Sequence, residues 1–333
     1  MSKTDTSRRD DGALLNALRT GFASLVGSED DKHSGIAIAV SGGPDSMALL
    51  ALARTLWTER IKTATVDHGL RPDSAEEAQM VADYCAKAAI PHAILRPDQP
   101  ITGNVQSAAR AARYGLLDSW RKQQGCQWLL TAHHADDQLE TMVMRLNRGS
   151  GVAGLAGIRT RNGHILRPLL AVGKADLLAY CQRHDIPFVD DPSNSDARFD
   201  RARLRTQLAQ CDWLDPETAT QSAHALAQAD SALHWMAQRE TDARITEQQD
   251  ALICDMHDSA ALPHELVRRI TKLALERAQP GLNPRGEALE RVIDALKSGQ
   301  TVTQGHVLCQ AKDGLWRFSI APPRANNGYK AGT

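Results

Sequence analysis

Two short stretches of this chain carry residue types that could do chemistry together. The first is Ser41-Gly42-Gly43-Pro44-Asp45-Ser46, which ends the apolar run Ile36–Val40 and leads into Met47, Leu49 and Leu50 at helical spacing. A strand, a glycine turn and a helix start gather backbone N–H groups and the positive end of a helix dipole at one point, which makes an anion site suited to phosphate. The stretch is neither Gly-x-x-x-x-Gly-Lys-Ser/Thr nor Gly-x-Gly-x-x-Gly. Asp45 is a carboxylate inside that anion site, and a bridging divalent cation, Mg²⁺, accounts for it. The second stretch is His133-His134-Ala135-Asp136-Asp137-Gln138-Leu139-Glu140. Asp137 and Glu140 stand three apart and share a helix face, and Asp136 lies four residues before Glu140. So many acids in one place call for a cation or a cationic substrate. A zinc pair of His133 and Asp137 is the weaker alternative, because the acids and the phosphate loop suit magnesium better.

The elements that must position these residues follow from periodicity. Leu14, Leu15, Leu18, Phe22 and Leu25 predict a lead-in helix before the first strand. Ile61–Val66 predicts a second strand ending in Asp67-His68, followed by a helix capped at Asp73 or Ser74. A short strand at His92–Leu95, a helix over about 104–124 and a strand at Trp128–Thr131 follow. This alternation predicts an α/β fold, a Rossmann-like parallel sheet, and ligands in such sheets collect beyond the C-terminal strand ends. The Ser41–Ser46 loop, Asp67-His68 and His133–Asp137 all fall there. Next comes a glycine-rich, pliable basic loop, Arg148–Arg159, which by itself reads as a plain surface loop and beside its neighbours is a candidate lid or RNA-facing segment. Asp190–Asn194 has turn chemistry. The helix starting near Phe199 carries Arg201 and Arg205 on one face, either as a phosphate grip or as solvated charge.

The resulting division is a tail and lead-in helix (1–34), a catalytic domain (35–205), a helical connector (206–244), a smaller, mainly helical C-terminal domain (245–325) and a loose tail (326–333). A terminal hairpin is expected around Asp313-Gly314. A length of 333 residues suits two domains, and 4% aromatic content with 42% hydrophobic residues suits helices on a parallel sheet. Six cysteines without any Cys-x-x-Cys pair argue against a disulfide framework, a zinc ribbon or an iron–sulfur cluster. Without a signal-like or membrane-spanning run, a reduced, cytoplasmic protein is expected. The net charge of −1 hides an asymmetry. Residues 141–210 carry 11 Lys and Arg against 6 acids, residues 266–333 carry 11 against 5, and residues 211–265 carry 2 against 11. Two basic blocks flank an acidic one, so RNA contact is compatible with the neutral total.

Ser41–Ser46 resembles the Ser-Gly-Gly-x-Asp-Ser loop of the PP-loop ATP pyrophosphatases, which split ATP between the α and β phosphates and adenylate a substrate. Val66–Arg71, Ala109–Tyr114, Thr131–Thr141 with Arg148–Gly151, Arg167–Leu170 and Asp191–Asn194 resemble, in that order, the tRNA(Ile)-lysidine synthetases. The likeness covers about residues 35–210. It implies that ATP adenylates the wobble cytidine of the CAU-anticodon isoleucine tRNA and that L-lysine then displaces AMP, forming lysidine. It further implies that Ser41, Gly42, Gly43, Pro44, Asp45, Ser46, Asp67 and His68 bind ATP, with Asp45 holding Mg²⁺. Asp137 and Glu140 bind lysine, and Asp45, Asp137, Glu140, Arg113 and Arg205 serve catalysis. Arg148, Arg201 and Arg205 contact tRNA, and a homodimer is also expected. Two departures stand out. The family often has Asn where this chain has Ala202, and the extra C-terminal domain of longer members is not expected. Rival readings are a tRNA 2-thiocytidine synthetase, a small-molecule PP-loop amide or amine ligase, and a nucleotide-gated RNA-binding protein. The first needs clustered cysteines, and the second leaves the basic C-terminal region without a use.

Overall fold

A computed structural model describes residues 3–27, 34–69, 73–97, 105–189 and 200–322, with side chains described from residue 10 in the first segment and from residue 108 in the fourth. The expected turn at Asp190–Asn194, the residues Leu70-Arg71 and the tail 326–333 lie outside the described residues. The elements in chain order are α1 (Lys3–Val26), β1 (Gly35–Ala39), α2 (Pro44–Trp57), β2 (Ile61–Val66), α3 (Ser74–Lys87), β3 (His92–Leu95), α4 (Val105–Gln123) and β4 (Cys126–Leu130). Then follow α5 (Ala135–Leu146), α6 (Val152–Leu155), β5 (Arg161–Asn162), β6 (Ile165–Leu166), α7 (Lys174–Arg183), α8 (Asp200–Leu208) and α9 (Pro216–Arg244). The chain continues with β7 (Ile245–Gln248), β8 (Ala251–Asp255), α10 (His264–Ala278), α11 (Glu287–Lys297), β9 (Val302–Gln304), β10 (Val307–Lys312) and β11 (Leu315–Ile320). Two compact units result, Met1–Ala227 and Gln228–Thr333, and the break falls inside α9.

The first unit is built on a six-stranded sheet in the order β3-β2-β1-β4-β6-β5, parallel except for the short edge strand β5. Alternation along β1 fills both faces. Ile36, Ile38 and Val40 point into a core with Leu18, Phe22, Met47, Leu49, Leu50 and Leu177, contributed by α1, α2 and α7. Ala37 points the other way, toward Leu117, Trp120 and Leu129, where α4 packs. Covering both faces is what makes the strands read as continuous apolar runs. Strand order reverses at β1, since the chain winds outward through β2 and β3 and then returns to β4 on the far side. Such a reversal opens a crevice at the C-terminal ends of the two central strands. Register sets what lines it. Ile38 pairs with Leu130, and Ile38 also pairs with Thr63, so the loops after β1, β2 and β4 leave the sheet side by side.

The second unit has a five-stranded antiparallel sheet, β7-β8-β11-β10-β9, with α10 and α11 on one face. Phe318, Trp316, Val307 and Cys309 meet Val267, Ile270, Val292 and Ile293 in its core. Helices hold more of this unit than strands do, yet the sheet is larger than the single hairpin expected from sequence. That hairpin is present at β10 and β11, turning through Asp313 and Gly314, both at positive φ (48° and 73°) as a two-residue turn of this hand requires. Among the described residues no helix is long and apolar enough to cross a membrane.

Candidate active site

The loop after β1 is held by its own hydroxyls. The Ser41 N–H donates to Ser46 Oγ at 3.1 Å, Ser41 Oγ lies 3.2 Å from the same atom, and Ser46 Oγ donates to the Gly43 carbonyl at 3.0 Å. Gly42 sits at φ 88°, packed under Met80 and Val81, and its carbonyl accepts from the Val189 N–H at 2.9 Å. Gly43 is the residue before helix α2, and Pro44 opens the helix, where a missing N–H is harmless. The first N–H groups of a helix have no acceptor within it, so this helix start offers donors that an anion could take. Asp45 stands in the first turn, and its Oδ1 is buried with no hydrogen-bond partner among the described residues. Among the described residues no three His, Cys, Asp or Glu side chains are arranged to hold a metal by themselves. A Mg²⁺ at Asp45 would thus draw most of its ligands from phosphate and water, the usual manner of that ion, and the orphaned Oδ1 fits it.

Across from the loop, His134 ends the β4 connection and is almost fully buried among three carboxylates. Its Nε2 lies 3.4 Å from Asp45 and 3.5 Å from Asp137, and its Nδ1 lies 3.5 Å from Asp136. Burial opposes a charge on the ring, but hydrogen bonds to Asp136 and Asp45 and the fields of Asp137 and Asp45 prevail, raising its pKa to about 10. A neutral Nδ1 could accept the Asp137 N–H, 3.4 Å away, whereas an imidazolium can only donate. The carboxylates select the imidazolium. The other half of the cap, His134 N–H to Asp137 Oδ2 at 3.4 Å, survives in either state. Asp136, on the same helix face as Glu140, is turned instead to the start of α7, where it accepts the Lys174 N–H at 2.8 Å.

Glu140, 3% exposed, is gripped by the two arginines that share a face of α8. Arg201 Nε donates to Oε2 at 2.7 Å, Arg205 Nε donates to Oε1 at 2.6 Å, and Arg205 also reaches Oε2 at 3.1 Å. Arg201 spans to Asp137 Oδ1 at 3.1 Å as well. The one-turn spacing that sequence offered as a phosphate grip thus holds a carboxylate here. Desolvation works against ionised Glu140, but the two guanidiniums keep its pKa below the usual carboxylate range. Four carboxylates (Asp45, Asp136, Asp137, Glu140) face three cations (His134, Arg201, Arg205), so the cluster retains a negative charge that one more cation can neutralise. Ala202, at the position where an Asn was expected, is buried on the same helix.

The β2 end behaves differently from its neighbours. Asp67 accepts from the Gly69 N–H at 3.0 Å, Ser74 Oγ at 2.8 Å and Arg96 Nε at 3.0 Å. Burial works against its charge, yet these donors lower its pKa. Asp67 therefore braces its own loop, and Ser74 serves Asp67 instead of capping α3; Asp73 makes no side-chain cap either. His68, by contrast, has a buried Nδ1 without a hydrogen-bond partner among the described residues, and burial together with Arg113 lowers its pKa, which favours the neutral ring. His133 is neutral too. Desolvation and then the charges of Arg167, Arg110, Arg113 and Arg201 push its pKa down to about 2, and Thr131 Oγ1 lies 2.9 Å from its Nδ1.

The second half of the glycine-rich segment is held by side chains of α5. The segment contains α6, and Arg145 NH1 binds the carbonyls of Gly154 (2.6 Å) and Gly157 (3.0 Å). Gln138 of α5 accepts the Ile158 N–H at 2.6 Å. Arg148 is exposed beside this segment. The loop, Asp137, Glu140, Arg201, Arg205, His68 and Arg113 thus share the C-terminal end of the sheet, with Asp67 behind them. Sequence reading had quoted His134 and Arg167 inside motifs without giving either a role; the contact of His134 with Asp45 appears only once β1 and β4 lie side by side.

The PP-loop domain family matches residues 15–211. A curated tRNA(Ile)-lysidine synthase from Zymomonas mobilis is 38% identical over 321 residues, 93% of this chain and 96% of that protein. One from Novosphingobium aromaticivorans is 40% identical over 307 residues, 88% of this chain and 90% of that protein. Among solved structures, the U34-tRNA thiolase of Methanococcus maripaludis aligns with a TM-score of 0.53 at 15% identity, covering 66% of this chain and 80% of the thiolase, a likeness of fold alone.

Proposed function

The chain belongs to the tRNA(Ile)-lysidine synthase family, and on that premise we propose that it joins L-lysine to carbon 2 of the wobble cytidine in the isoleucine tRNA bearing a CAU anticodon, converting ATP to AMP and pyrophosphate. The observation that carries this reading is the contact of the two half-sites, with Asp45 of the phosphate loop 3.4 Å from His134 of the acid cluster. In the first step the cytidine 2-oxygen attacks the α-phosphorus of ATP, an O–P bond forms, and pyrophosphate leaves. Ser41, Gly42, Gly43 and Ser46 hold the departing pyrophosphate at the start of α2, while His68 offers its free Nδ1 to the nucleotide. Mg²⁺, held at Asp45, would supply charge neutralisation for the leaving group. In the second step the ε-amine of lysine attacks carbon 2, the C–O bond breaks, and AMP leaves with the oxygen. Asp137 and Glu140 bind the cationic lysine, which competes with Arg201 for them, and Asp137 takes the proton that the amine must lose. Arg113 and Arg205 steady the negative charge on the transferred phosphate. Arg148 and the outward N–H groups of Arg201 contact the tRNA, and a cytoplasmic setting belongs to the same reading.

The test is to incubate the protein with ATP, labelled lysine and the unmodified tRNA. Label entering the RNA together with AMP and pyrophosphate release supports the reading. AMP formation with another acceptor and no label in the RNA would refute it.

A further inference from the structure

Arg167 is 6% exposed, and among the described residues no carboxylate pairs with it. Its NH1 donates to the Arg159 carbonyl at 2.7 Å, and its Nε is buried without a hydrogen-bond partner among the described residues. A buried guanidinium without an anion is costly, because the desolvation of the charge is not returned. Its position is set by register. β6 pairs with β4, Leu166 lies opposite Leu130, and the Thr131 N–H donates to the Leu166 carbonyl at 3.0 Å. Arg167 therefore leaves the sheet abreast of Thr131, next to His133. Two more arginines approach from the first half of α4, the end of that helix nearest the C-terminal strand ends. Arg110 and Arg113 lie 5.1 and 5.3 Å from the centre of the Tyr114 ring. Among the described residues neither arginine pairs with a carboxylate. Burial falls from Arg167 through Arg113 to the exposed Arg110.

We propose that Arg167, with Arg110, forms a phosphate subsite separate from the Ser41–Ser46 loop, and that it receives a phosphodiester of the RNA substrate, with Arg113 between them left to the transferred phosphate. The loop after β1 already provides N–H groups and a helix start for the phosphates of ATP. A row of guanidiniums running from the buried end of the crevice to solvent suits a chain of phosphates entering from the surface. Neutral His133, held by Thr131 and ringed by these positive charges, is in keeping with a flank kept positive for an anion. The acid cluster on the other flank lacks this character, so the crevice is positive where the RNA backbone would lie and negative where a cation would lie.

This inference rests on RNA being the substrate, and the binding of CAU-anticodon isoleucine tRNA to the wild-type protein is the control for that reading. If the wild type fails to bind the tRNA, the functional reading fails and not the subsite. The test compares wild type, Arg167→Gln and the exposed Arg110→Gln for tRNA affinity across salt concentrations, ATP affinity, and melting temperature without ligand. Arg167→Gln is expected to weaken tRNA binding about tenfold or more, and Arg110→Gln several-fold, each reducing the salt slope by about one, with ATP affinity unchanged. Without RNA, Arg167→Gln should melt no lower than wild type, because an uncompensated buried charge has been removed. A lower melting temperature with unaltered tRNA binding by Arg110→Gln would make Arg167 structural and overturn the proposal. Loss of ATP affinity with tRNA affinity intact would assign the phosphate to the nucleotide and overturn the RNA assignment.

Discussion

At the scale of single residues, the chemistry is divided between an orphaned oxygen and a saturated carboxylate. Asp45 Oδ1 is buried without a hydrogen-bond partner among the described residues, while Oδ2 lies 3.4 Å from His134, so replacing Asp45 removes a ligand and one of the three carboxylates around that ring. Asp45→Ala is expected to lower AMP formation at least 100-fold, a loss of about 3 kcal/mol in transition-state stabilisation, while the fold persists; near-normal turnover would take Asp45 out of the mechanism. Glu140 is the reverse case, with both oxygens committed to Arg201 and Arg205. Glu140→Gln leaves two guanidiniums under-compensated, and because Arg201 is 42% and Arg205 30% exposed the cost is screened to about 1–3 kcal/mol of stability. Lysine use should fall more than ATP binding, whereas equal losses in steady-state KM for both would show that Glu140 holds the structure and not the lysine. The motif residues themselves were legible in sequence because each stretch is contiguous. Their partners were not: Glu140 meets arginines more than sixty positions away, Asp136 meets Lys174, and Asp67 meets Arg96. Those pairings arise only when the strands line up.

At the scale of elements, the loop–helix starts do the positioning, and the glycine-rich segment after α5 shows how. Gly157 has φ 65°, and a Cβ there would lie 2.4 Å from Gln138 Oε1, the atom that holds the Ile158 N–H. Gly157→Ala therefore combines left-handed strain with loss of a buried hydrogen bond, about 2–3 kcal/mol together. Gly149 has the same φ but nothing within 4 Å of its Cβ position, so Gly149→Ala should cost only the strain, about 1 kcal/mol. Urea unfolding of the two variants separates these values; equal costs would mean that Gln138 does not pin the segment. Sequence reading saw four glycines and inferred pliability, since glycine content reports backbone freedom but not the side chains that use up that freedom. Strands β1, β2 and β4 were legible because both of their faces are buried. The strands β7 and β8 were missed because burial does not alternate cleanly along either of them.

For the whole molecule, a parallel sheet with its strand order reversing at β1 carries the phosphate loop and the acid cluster to one crevice, and a separate antiparallel unit follows. The alternation of strands and helices announced the first of these architectures. The break between units at 227 and 228 lies within one helix, where composition does not change, and no local signal marks it. Stability of the whole chain should respond to acid through its neutral histidines. His92 is held near a pKa of about 4 and His133 near about 2 by burial, in His133 also by the surrounding arginines, against 6.5 unfolded. The folded state therefore binds fewer protons below pH 6.5, and this stabilisation, complete above 6.5, is lost as pH falls toward those values. Melting temperature should decline from about pH 6.5 downward, and His92→Asn should decline less steeply; parallel curves would remove His92 from the account. The central claim concerns the product, and mass spectrometry of the wobble nucleoside, isolated from CAU-anticodon isoleucine tRNA after incubation with the protein, ATP and lysine, tests it most directly. The account predicts a cytidine heavier by one lysine less one water, formed only with ATP present, whereas an unaltered cytidine, or one carrying sulfur, would contradict it.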